Sequence, residues 1–260
     1  MKKTFFSKPY LFGGAMDVET PDTVKSQRSR IISKVLSPAV QLWLRSQVEQ
    51  VETLKFKIIG ADRQILSGHI PTVSVTASRV VYQGLHLSQI ELEGTGIRVN
   101  LGQVIKGKPL RLLKPVPVAG QLLLFTSDLL ASLQAPLLST AVTEFLITLL
   151  NSNGISHSLD PLQEQQISWQ HIDIEEGQLT LLGTLTDATL QITPIVIRAG
   201  LHLATPQVLK LNPLQIQISQ TLPPLVLDGF QVDLGSEVNL EELALTSGQM
   251  LCRGRLTVLP

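Results

Sequence analysis

This chain has no excess of charge of either sign. Its 21 basic residues are matched by 21 acidic ones, for a formal net charge of zero. A nucleic-acid binder needs surplus Lys and Arg to displace the counterions of the phosphates, so the balance excludes that partner class. Cysteine is almost absent. A single Cys252 cannot form an internal disulfide, and no His or Cys stands near it at ligand spacing. It is expected to be a small, buried or half-buried side chain. Aromatics make up only 4% of the 260 residues, although hydrophobic residues make up 43%. No apolar run is long enough for a membrane-spanning helix. Reaction signatures are missing too. There is no G-x-x-x-x-G-K-[ST] phosphate loop, no G-x-S-x-G elbow and no H-E-x-x-H pair, so neither an enzyme nor a metal or cofactor is expected.

What is present is leucine, at 46 positions, about twice its usual share. An aliphatic interior of Leu, Ile and Val can form an ordinary core or the wall of a cavity for acyl chains. The tetrapeptide Gly-Leu-His-Leu occurs twice, at Gly84–Leu87 and Gly200–Leu203. Each copy follows a short stretch ending in glycine, Gln64–Gly68 and Gln178–Gly183, both read as strands. Further upstream of each lies a Leu-rich helical segment with one proline, Pro38 and Pro136. A helix followed by alternating strands, written twice, implies two similar halves, about 26–125 and 126–260, sharing one core in a single domain over 26–260.

Ile31, Val35, Ala39 and Trp43 recur at spacing four and predict a helix over about 26–52, bent at Pro38. Lys25, Arg28, Arg30 and Lys34 near its start make either a solvated face or a contact for anionic headgroups. From Leu54 the period becomes two: Val73, Val75 and Ala77 alternate with Thr and Ser, and Ile90 and Leu92 with Gln and Glu. The run from Lys106 to Pro115 interleaves cations with aliphatics, and reads as an exposed loop with a short edge strand or as a membrane-surface contact. A second long helix is expected from Thr126–Ser127–Asp128 through Leu150, ending at Asn151–Gly154, with a polar link over 155–166. Strand patterns then continue to Pro260. Long helices set against an antiparallel sheet give an α+β architecture.

The five histidines fit no metal spacing. His171, Asp173 and Glu175 would share a strand face, as a divalent-metal or acid/base cluster or as a solvated face, and alternation with Ile172 and Ile174 favours the solvated face. His86 and His202 recur with their segment and are expected to be structural or surface residues, opposite Leu85 and Leu87. Met1–Phe6 opens like a secretory signal, but Ser7–Lys8–Pro9 interrupts the apolar stretch and Asp17, Glu19 and Asp22 follow. Residues 1–25 are therefore read as a disordered leader, with Met16 a second candidate start. The expected location is cytoplasmic or peripheral to a membrane rather than exported.

From about Ser33 to Leu150 the sequence resembles the LmeA-like phospholipid-binding family of actinobacteria and cyanobacteria. The resemblance runs through the Ser37-Pro38 helix, Gly68–Val75, Tyr82–Leu85, Ile90–Val99, Leu110–Leu112 and Thr126–Leu133. It implies a fold similar to tubular lipid-binding proteins, with long helices on a strongly curved antiparallel sheet, and a phospholipid or other acyl lipid as partner at a membrane surface. On that reading the acyl chains lie between the second helix and the sheet. Leu137, Ala141 and Phe145 form the wall, and Lys106, Lys108 and Arg111 stand at the mouth. The alternative is a fully packed interaction or scaffold protein with no ligand cavity.

Overall fold

The computed structural model describes residues 36–152, 166–186, 189–218, 223–227 and 229–260. The leader, the basic start of the first expected helix and nearly all of the expected link lie outside the described residues.

Helix α1 (Ser37–Ser46) carries Pro38 in its first turn, where a missing N–H costs no helical hydrogen bond. It ends earlier than expected, because Gln50 already starts a strand. Strand β1 (Gln50–Ile59), helix α2 (Asp62–Leu66), β2 (His69–Tyr82), β3 (Leu85–Arg98), helix α3 (Leu101–Val104) and β4 (Val116–Phe125) complete the first half. The segment Gln64–Gly68, expected as a strand, forms most of α2 and its end. Gln64 Oε1 accepts from the Ala61 N–H, Ser67 Oγ donates to the Gln64 carbonyl at 2.6 Å, and Gly68 leaves the helix at φ 78°. This local polar bonding outweighs the short apolar pattern.

The second expected helix is two helices. Helix α4 (Thr126–Ser132) and helix α5 (Pro136–Ser152) meet at 88°. Pro136 has no N–H to continue the ladder, and it drives Ala135 before it out of helical geometry. The expectation of two long helices is corrected accordingly: among the described residues only α5, with 17 residues, is long. Strands β5 (Gln166–Glu175), β6 (Gln178–Thr186), β7 (Ile192–Thr205), β8 (Val208–Ile218), β9 (Leu225–Leu227), β10 (Phe230–Asp233), β11 (Val238–Thr246) and β12 (Gln249–Val258) follow.

All the pairings are antiparallel, in two open sheets. The first runs β1-β2-β3-β4-β12-β11, and the second β10-β8-β7-β6-β5 with β9 against β8. The chain is thus α+β. Helix α1 precedes the meander β1 to β4, and α4 with α5 precedes the meander β5 to β8. The last hairpin, β11–β12, returns to the first sheet, so the two ends of the described chain meet in one sheet. The sheets are joined by backbone bonds: Gly177 N–H to Leu245, Gly248 N–H to Ile174 and Leu240 N–H to Pro206.

The two Gly-Leu-His-Leu segments occupy unlike places. The first opens β3 at a tight turn, with Gly84 at φ 77° against Ala135 in the α4–α5 elbow. There the His86 N–H donates to Ser132 Oγ at 2.8 Å. The second lies inside β7, where Gly200 packs on the Asn212 carbonyl and the His202 ring meets that same carbonyl at 2.9 Å.

Candidate functional site

Side chains directly opposite each other on paired strands share a face, so the register shows what each face presents. Across the first sheet one row reads Leu54, Ala77, Ile90, Leu122, Cys252, Leu243. Two residues along, the next reads Phe56, Val75, Leu92, Gly120, Gly254, Leu240, and the third Ile58, Val73, Gly94, Val118, Leu256, Val238. No polar side chain interrupts these three rows. The opposite face of the same strands is polar: Lys55, Thr76, Glu91, Gln121, Arg253 and Glu242 form one row, closed by an Arg253–Glu242 ion pair at 3.0 Å.

The apolar rows are not equally covered. Helix α1 covers the middle of the third row, Val73 and Val118, with Leu36 and Val40, joined by Ile65, Leu101, Val104 and Leu110 from α2, α3 and the loop beyond, whereas Leu256 in the same row is exposed. In the first row only Ala77 is buried; the other five are half-buried, and so is the whole second row. The second sheet differs. Its central row, Ile172, Leu181, Ile197 and Ile216, is buried throughout at 4% exposure or less. There Leu146, Leu149 and Leu150 of α5 lie flush on the strands, and Trp169 stacks over Gly183 while its indole N–H donates to Thr143 at 3.0 Å. The centre of the second sheet is covered, and the first sheet keeps two apolar rows half-buried along nearly their whole length.

The expected site residues do not come together. Phe145 is half-buried and meets Phe230 edge-on at 5.4 Å, within the second core. Leu137 and Ala141 are exposed on the side of α5 turned away from that core. Lys106, Lys108 and Arg111 are exposed at the α2–α3 end of the first sheet.

Two clefts flank the first sheet. One, of about 380 Å³, is lined by polar groups including Gln50, Glu52, Arg79, His86 and Asp128. Arg79 pairs with Glu52 at 2.9 Å, while Asp128 caps α4 by accepting the Phe125 N–H at 2.8 Å and also accepts from Ser88. The other, of about 450 Å³, lies between Leu66, Val99, Leu101, Lys106 and Leu113. His171 and Glu175 are exposed beside buried Ile172 and Ile174, so that strand face is solvated. Among the described residues no three His, Cys, Asp or Glu side chains are placed to hold a metal ion. Burial on the apolar face pushes the Cys252 thiol up from its ordinary range.

A family model for LmeA-like phospholipid binding matches residues 28–255, nearly the whole chain. The chain belongs to the LmeA-like phospholipid-binding family. No curated protein and no solved structure matches it closely enough to lend a function or a template. Membership of this family suggests lipid as the ligand class, and the broadest apolar surface left half-covered in the two sheets described above is that of the first sheet. Reading from the sequence did not assemble this face because a third of its residues, on β11 and β12, lie far along the chain from β1 to β4. The alternation in each strand was visible, but the pairing of β12 with β4 leaves no local signal.

Proposed function

We propose that this LmeA-like protein binds phospholipid non-enzymatically, with the acyl chains laid along the half-open rows of the first sheet. The observation that supports it is a contrast between rows: five of the six apolar side chains in the first row stay half-buried, whereas the central row of the second sheet is buried from β5 to β8. Each methylene that covers those rows would contribute on the order of 0.8 kcal/mol, so two chains supply most of an affinity. Gly120 and Gly254 face each other in the second row, and Gly94 stands in the third row on the neighbouring strand of the same face. Their lack of side chains supports a bend that would cup a chain, in the manner of a tubular lipid-binding fold. The wall thus moves from Leu137, Ala141 and Phe145 to Leu54, Ile90, Leu92 and Leu122. The lipid works as cargo, carried between membranes or held at one, and the protein acts as one unit with its partner at the membrane surface.

Lipid extraction and mass spectrometry of the purified protein test this. Phospholipid is expected with the wild type and lost from Ile90→Glu at unchanged secondary structure. A lipid-free wild type that also takes up none from short-chain phospholipid would favour the filled scaffold instead.

A further inference from the structure

The family match and the apolar rows leave the basic end of the first sheet without a role. From Arg98 to Lys114 the sequence holds five cations and no Asp or Glu. Among the described residues the ion pairs use Arg79, Arg253 and Arg255, so none of these five is neutralised by a carboxylate. Large aliphatic side chains stand among them in water: Leu66 is 49% exposed, Ile105 56% and Leu113 57%. Leu66, Leu113 and Lys106 border one cleft, which places α2 and both ends of the loop at a single tip. The loop is also held in shape. Asn100, only 8% exposed, donates through Nδ2 to the Pro109 carbonyl at 2.9 Å and accepts the Arg111 N–H through Oδ1 at 2.8 Å. The Leu113 N–H donates to the Arg98 carbonyl at 2.9 Å.

We propose that this tip is the surface by which the protein docks on an anionic phospholipid bilayer, with Leu66, Ile105 and Leu113 entering the headgroup layer and Lys106, Lys108, Arg111 and Lys114 facing the phosphates. Unpaired cations complement an anionic leaflet, and the exposed aliphatic side chains of the same tip gain free energy by leaving water. A nucleic acid would instead call for aromatic stacking partners, and the tip has none. The loop's fixed geometry presents these groups without ordering a flexible segment first. The proposal deepens the lipid-binding reading by naming where the membrane is met, and the two fail separately.

Flotation of the full chain with vesicles is the test, using phosphatidylcholine alone or mixed with phosphatidylglycerol. Binding is expected with the anionic vesicles, weakening with salt. Lys106→Gln with Lys108→Gln should lower partitioning about 25-fold, at about fivefold per charge. Ile105→Ser with Leu113→Ser should lower it as well. All four positions are exposed, so both variants should melt like the wild type and still retain co-purified lipid. Equal flotation of the variants and wild type, no flotation of the wild type, or equal binding to both vesicle types would overturn the proposal. Loss of co-purified lipid from Ile90→Glu reports on the sheet, not on the tip.

Discussion

Asn100 is one of two buried polar residues in the described core, and its amide does more than fill space. It takes the place of a strand partner for the loop after α3, satisfying Pro109 and Arg111 together. Replacing it by Ala removes two part-buried hydrogen bonds, those to the Pro109 carbonyl and from the Arg111 N–H, at a cost of about 1–3 kcal/mol together. Thermal or urea unfolding of Asn100→Ala should show that loss, and an unchanged midpoint would refute the clamp. The histidines carry less. His86 contributes its backbone N–H to Ser132, which any residue supplies, and His202 is exposed. The double variant His86→Gln, His202→Gln should keep its lipid, read by extraction and mass spectrometry. Ala141→Glu should keep it as well, within about 0.5 kcal/mol of wild-type stability, because the position is exposed. Loss of lipid in that variant would return the site to α5.

Among the elements, the elbow between α4 and α5 governs how the halves meet. Asp128 and Ser132 tie α4 to the start of β3, and Gly84 leaves room for Ala135 at the bend. A Cβ at Gly84 would stand 2.7 Å from that of Ala135, on a backbone already at φ 77°. Gly84→Ala should therefore destabilise by about 1–3 kcal/mol, and an unchanged melting temperature would show the elbow to be loose. Much of this element map was legible in advance. The alternation in β2 and β3 reads directly from Val73–Ala77 and Ile90–Leu92, and the fullness of α5 from its many leucines. The break at Pro136 was visible as a proline but outweighed by the apolar pattern on both sides. The helix at Asp62–Leu66 was not legible, because five residues cannot display a helical period. The repeated tetrapeptide pointed to two helix-then-strand segments, yet its two copies sit at a turn and inside a strand. The likeness of words was not a likeness of position.

For the whole molecule, the return of β11 and β12 to the first sheet matters most. It widens the apolar face from four strands to six and brings Cys252 to its first row, opposite Leu122 and Leu243. This arrangement was hidden in the sequence, since only tertiary pairing joins residues 122 and 252. It also places the only thiol of the chain within the proposed lipid surface. Desolvation holds that thiol above its ordinary range, so less thiolate is present at a given pH and alkylation should speed up only as pH rises well into the alkaline range. The most direct test of the account is therefore the alkylation rate of Cys252 by N-ethylmaleimide in delipidated protein, with and without a short-chain phospholipid below its micelle concentration. Acyl chains lying on the first sheet should slow the reaction at least tenfold, which a 1.4 kcal/mol preference for the covered state suffices to give. A protein that binds the lipid while Cys252 reacts at its lipid-free rate would contradict the central claim and place the lipid elsewhere.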